Sequence, residues 1–87
     1  MNLNKLILKY LLLCEVQNNL DKKTLKAYRI DLEQFRKFIV DKSDFNSREN
    51  ISEYICELKY KNYAVKTIKR KIASLKAFFS YLNNEDI

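Results

Sequence analysis

The side chains best placed to do chemistry in this sequence are its cations. Between Lys22 and Arg29 stand four of them (Lys22, Lys23, Lys26, Arg29) with no acid, and between Lys66 and Lys76 five (Lys66, Lys69, Arg70, Lys71, Lys76) with none. Two such clusters, distant in sequence, suit a polyanion, and the expectation is that helix packing brings them side by side onto one exposed surface. The plainer alternative is a pair of solvated helix faces kept soluble by lysine. Other chemistry has little to work with. Histidine is absent, so Ser and Cys lack an ordinary activating base, and Cys14 and Cys56 cannot build a zinc site without further strong ligands. Without glycine there is no familiar phosphate-cradling loop. The carboxylates Asp31, Glu33, Asp41 and Asp44 read as solvated surface. The expectation is a binding domain that needs no metal or cofactor and catalyses nothing by itself.

The elements that hold these cations follow from composition. Eighty-seven residues suffice for one domain, residues 1–87, and the absence of both glycine and proline removes the usual helix breakers. The fold class expected is all-α, a compact bundle of four helices. A first segment, about Leu3 to Val16, sets Leu3, Leu6, Ile7, Tyr10, Leu13 and Cys14 on one side, and Leu11 and Leu12 widen that face. So broad an apolar surface calls for cover from other helices or a partner subunit. Lys9 interrupts the run, which is too short to span a bilayer, and Leu13 is too bulky for a leader-peptide cleavage site. With only two cysteines, both in apolar helical patterns, the setting expected is reduced and cytoplasmic, with no membrane partner.

A second helix starts at the N-cap Asp21 and runs to about Val40, carrying Leu25, Tyr28, Leu32, Phe35 and Ile39 on one stripe. The polar run Lys42 to Asn46 breaks the pattern. Ser47 caps a short third helix with Ile51, Tyr54, Ile55 and Leu58. Asn62 takes the left-handed role usually filled by glycine, and a fourth helix follows with Ile68, Ile72, Leu75, Phe79 and Leu82 on its stripe, flanked by Val65 and Phe78.

Opposite that last stripe, a helical wheel collects Lys66, Arg70, Ala73, Ser74 and Ala77, with Lys69 beside them. A helix entering a DNA major groove needs cations for phosphates and short side chains where its backbone nears the bases, although surface alanine is also simply a good helix former. Lys22, Lys23 and Lys26 sit at the start of the second helix, where the positive dipole end makes cations locally unfavourable unless an external anion comes near. Arg29 lies close to that end. Arg36 and Lys71 read as structural residues or partners in intramolecular ion pairs, and the row Glu49, Glu53, Glu57 should face away from DNA.

The positions Thr24, Ala27, Tyr28, Asp31, Leu32, Phe35 and Phe38 resemble the first motif of the SAM-like core-binding domain of tyrosine recombinases and phage integrases. Thr67, Ile68, Leu75, Phe78, Phe79, Tyr81 and Leu82 are similar to the same domain's last helix. Asp21 and Ala64 stand where that family often has Ser, and Asn62 where it often has Gly; Ala64 is the poor cap among them. The resemblance implies a domain that grips duplex DNA with its second and fourth helices, as one half of a clamp completed by a separate catalytic domain, which is absent here. Its candidate contacts are Thr24, Arg29, Lys66, Thr67, Arg70, Ser74 and Lys76, to which the charge pattern adds Lys22, Lys23, Lys26 and Lys69. Partners implied are double-stranded DNA, the catalytic domain of the full-length protein and neighbouring protomers on DNA. A helical protein-interaction module using the first helix, and a small helix-turn-helix regulator, are the competing readings.

Overall fold

The computed structural model describes residues 3–17, 19–40 and 48–85. Among these, four helices and no strand occur: α1 (Leu3–Val16), α2 (Lys22–Ile39), α3 (Arg48–Tyr60) and α4 (Val65–Asn84). The expected break at Lys42 to Asn46 and the Ser47 cap lie outside the described residues.

Local chemistry sets the helix ends. Asp21 is extended (φ −72°, ψ 166°) and its carboxylate accepts the Thr24 N–H at 2.7 Å, which satisfies one of the orphan donors of the first turn of α2. After α3, Asn62 adopts φ 64°. The Asn62 N–H then donates to the Lys59 carbonyl at 3.0 Å and the Tyr63 N–H to that of Leu58 at 3.3 Å, the two bonds of a Schellman ending, with asparagine bearing the left-handed residue. Asn19, at φ 53°, is a second left-handed residue, just past α1, where the Leu20 N–H reaches back to the Cys14 carbonyl at 3.2 Å. Ala64 caps α4 without any side-chain bond, as its methyl dictates.

The helices enclose one core of Ile7, Tyr10, Leu11 and Cys14 from α1, Leu32, Phe35 and Ile39 from α2, Tyr54 and Leu58 from α3, and Ile68, Leu75, Phe78 and Leu82 from α4. Each fully buried leucine or phenylalanine among them contributes about 2 kcal/mol. Aromatic rings join the helices: Tyr10 meets Phe78 edge-on at 5.4 Å, and Phe35 meets Tyr54 at 5.2 Å and Phe79 at 5.9 Å.

Three expectations need correcting. Phe78 is the fully buried ring of α4 and Phe79 the partly buried one, the reverse of the anticipated stripe, because α4 is packed by α1 on one side and by α2 and α3 on others. Cys56 is exposed while Cys14 is buried; both are free thiols. Leu8 and Leu12 are 57% and 59% exposed, so the broad apolar surface of α1 is covered on one side only. No described helix is long and apolar enough to cross a membrane.

Candidate nucleic-acid interface

The centre of the α2–α4 contact is a buried carboxylate. Asp31 has no exposed surface, and its two oxygens take three donors from α4: Arg70 Nη2 at 2.8 Å and Lys71 Nζ at 3.0 Å on Oδ1, and Ser74 Oγ at 2.8 Å on Oδ2. A buried carboxylate costs several kcal/mol unless paired and fully hydrogen-bonded, and this one is both. Arg70 and Ser74, one helical turn apart, share the flank of α4 that faces α2, and the long stem of Lys71 reaches in from the adjoining position. The expectation of a solvated Asp31 is therefore overturned, while Lys71 has the intramolecular ion-pair role expected of it.

Tyr63, between α3 and α4, closes this cluster. Lys71 Nζ sits 5.2 Å from its ring centroid, and its hydroxyl accepts a bond from Gln34 Nε2 at 3.0 Å. Tyr54 of α3 is fully buried nearby. Burial, helped by the Asp31 charge, pushes its hydroxyl well above the usual tyrosine range.

Outside the cluster, α4 presents Lys66, Lys69, Arg70, Ala73 and Lys76 to solvent, with Thr67 and Ala77 half-buried. Ser74 departs from this row. It is 2% exposed with its hydroxyl committed to Asp31, so its place is in the helix contact and not on the outer face. The side chain of Arg70 is 52% exposed even with its Nη2 bonded to Asp31.

On α2, Lys22, Lys23, Lys26 and Arg29 are exposed and Thr24 is half-buried. The Thr24 N–H is taken by Asp21, whose carboxyl that bond holds below the usual range, so one first-turn donor expected to be free for an anion is occupied. Lys22, Lys26 and Arg29 border an open groove between α1 and α2, of about 770 Å³, with Leu8, Leu11, Leu12, Glu15, Leu25 and Ile30. Asp31 and its α4 partners lie on the other flank of α2. The two cation groups thus stand on different flanks of α2 and do not form the single side-by-side surface expected of them, because α2 packs between α1 and α4. Arg36 is tied to Glu33, whose carboxyl it holds below the usual range.

Acids are placed elsewhere. No acid occurs in α4, whereas α3 carries Glu49, Glu53 and Glu57, the last 3.9 Å from Lys61. The buried Asp31–Lys71 pair escaped sequence reasoning. Its signal was present as one polar residue of each sign interrupting an apolar stripe: Asp31 between Tyr28 and Phe35, and Lys71 between Ile68 and Leu75.

A family profile described as phage integrase, N-terminal SAM-like domain, matches residues 7–86. A tyrosine recombinase of Agathobacter rectalis is 43% identical over 86 residues, covering 99% of this chain and 28% of its own length. A tyrosine recombinase XerC of Herpetosiphon aurantiacus is 39% identical over 74 residues, 80% of this chain and 24% of its own length. A XerC of Listeria innocua is 32% identical over 75 residues. The chain thus spans about a quarter of the length of these relatives. No solved structure matches.

Proposed function

Because this chain belongs to the family of phage integrase N-terminal SAM-like domains, and so to the N-terminal region of tyrosine recombinases, we propose that it is their DNA-gripping module. It binds duplex DNA, and the strand chemistry resides in the part of the full-length protein that these residues do not include. The observation that carries this reading is the outer face of α4, where Lys66, Lys69, Arg70 and Lys76 are exposed around Ala73 with no acid in the helix. Cations reach phosphates, and a short side chain lets the helix backbone approach base edges.

The α2 cations complete the grip. Lys22, Lys26 and Arg29 lie on one flank of α2 and the α4 row lies beyond the other, so the duplex would be held from two sides. Candidate contacts are Lys22, Lys23, Lys26, Arg29, Lys66, Lys69, Arg70 and Lys76, with Thr24 and Thr67 at the helix starts. Titration of a fluorescent duplex at several salt concentrations tests the reading. With roughly five phosphates neutralised, log K against log salt slopes at about −4 to −5. Absence of duplex binding at low salt rejects it.

A second reading rests on Leu8 and Leu12, whose exposure beside Ile30 leaves an apolar surface suited to a protein partner, including a neighbouring protomer. Mutation of Leu8 and Leu12 to serine distinguishes the two, since it removes such an association and leaves duplex affinity intact.

A further inference from the structure

Asp31 has one negative charge and two cationic neighbours, and the two are not equivalent. Lys71 is 4% exposed and lies against the Tyr63 ring, so it is the counter-ion buried together with the carboxylate. Arg70 is surplus to that neutralisation. Its side chain is half exposed and its Nη2 is fixed on Asp31 Oδ1, which leaves the other N–H groups of its planar fork for a ligand. The cluster as a whole therefore presents one net positive charge, carried by a guanidinium whose direction is set before any ligand arrives. A long side chain ordinarily loses much of its rotamer freedom on meeting an anion, and one held in place beforehand loses less.

We infer that Asp31, with Lys71 as its own counter-ion, is a positioning residue that holds Arg70 as a preset receptor for a phosphodiester oxygen of the duplex. This rests on the duplex-binding reading and adds to it that one cation of the row acts through geometry as well as charge. The neighbouring Lys66, Lys69 and Lys76 are free-swinging point charges by comparison.

The test uses two variants that leave the net charge of +6 unchanged. Arg70→Lys keeps the charge on a half-exposed position but cannot both hold Asp31 and present a fork outward. Asp31→Asn combined with Lys71→Gln removes one charge of each sign, keeps amide groups to hydrogen-bond one another, and frees Arg70. Both should weaken duplex binding roughly tenfold with little change in salt slope, and Arg70→Ala added to the double variant should cost much less than it costs alone. The Arg70 Nη–H resonances should show hindered rotation of the guanidinium in the unliganded wild type and lose it in the double variant, a readout independent of DNA.

Wild-type affinity in Arg70→Lys, whose folding is checked by circular dichroism and urea unfolding, overturns the inference while leaving duplex binding standing. Tighter binding by the double variant overturns it too, because Asp31 would then compete with DNA for Arg70. A wild-type chain that binds no duplex overturns the parent reading and this one with it.

Discussion

Asp31 on α2 and Lys71 on α4, forty positions apart in sequence, meet at 3.0 Å with both side chains almost wholly out of water. They fix the approach of two helices whose outer faces carry most of the exposed positive charge of the molecule. The pair and the Arg70 and Ser74 bonds around it tie the fold to the candidate interface, since they join α2 to the helix that carries the α4 row.

Single removal of either partner is expected to be unequal in cost. Asp31→Leu strands an ammonium that has nowhere to go, and about 3–5 kcal/mol of stability should be lost. Lys71→Met leaves Asp31 with Arg70 and Ser74, so the loss should be smaller, about 1–2 kcal/mol. Urea unfolding of both variants checks the order. Equal losses, or a costlier Lys71→Met, would mean that the Arg70 and Ser74 bonds do not sustain the buried carboxylate once its ammonium is gone.

The cap of α2 gives the domain an acid-sensitive element. The Thr24 N–H holds the Asp21 carboxyl below the ordinary value of about 3.9. A group whose pKa is lowered on folding contributes stability above its unfolded pKa and loses it as pH falls through the folded value. Asp21→Ala should therefore lower the Tm by a few degrees at about pH 6, and the gap to wild type should shrink below about pH 4. Thermal melts followed by circular dichroism across that range decide it; a gap that is constant with pH removes the charged cap as its source.

Core truncation should be close to the limit that the domain tolerates. Phe35 and Phe78 are each fully buried, and phenylalanine to alanine in such sites costs about 3–5 kcal/mol. Small domains have only about 5–15 kcal/mol in total, so either variant should be partly unfolded at 37 °C or close to it. Phe79→Leu, at a partly buried position, should cost well under half as much. Urea midpoints of the three variants check the ranking, and a Phe79→Leu loss as large as that of Phe78→Ala would contradict the packing described.

What the sequence revealed and what it hid divide along a physical line. Asp21 and Asn62 mark helix ends through bonds to residues a few positions away, so their roles could be read locally. The α4 face was legible because helical spacing alone sorts Lys66, Lys69 and Ala73 from Ile68 and Leu75. Ser74 was misplaced since the wheel does not say that α2 covers that edge of α4, and Asp31 was misread because its partners lie on another helix. The same blindness hid that α2 itself stands between the two cation groups. Pairing of helix flanks is tertiary information, and two opposite charges set into apolar stripes were its one trace.

The distinction between Ser74 and its neighbour Ala73 makes the interface testable at adjacent positions. Ala73 is exposed in the middle of the cation row, and glutamate is a good helix former, so Ala73→Glu should leave stability within about 0.5 kcal/mol while placing a negative charge among Lys66, Lys69, Arg70 and Lys76. Duplex affinity should fall by at least about tenfold, or ~1.4 kcal/mol. Ser74→Ala removes a buried donor to Asp31 and should cost about 1–2 kcal/mol of stability, yet the folded protein should bind duplex as before, because Asp31 still holds Arg70 and Lys71. Fluorescence anisotropy paired with urea unfolding separates the two effects. The opposite pattern, with Ser74→Ala losing affinity at full stability and Ala73→Glu binding normally, would put the DNA on the α2 side of this helix and remove the outer face of α4 from the interface.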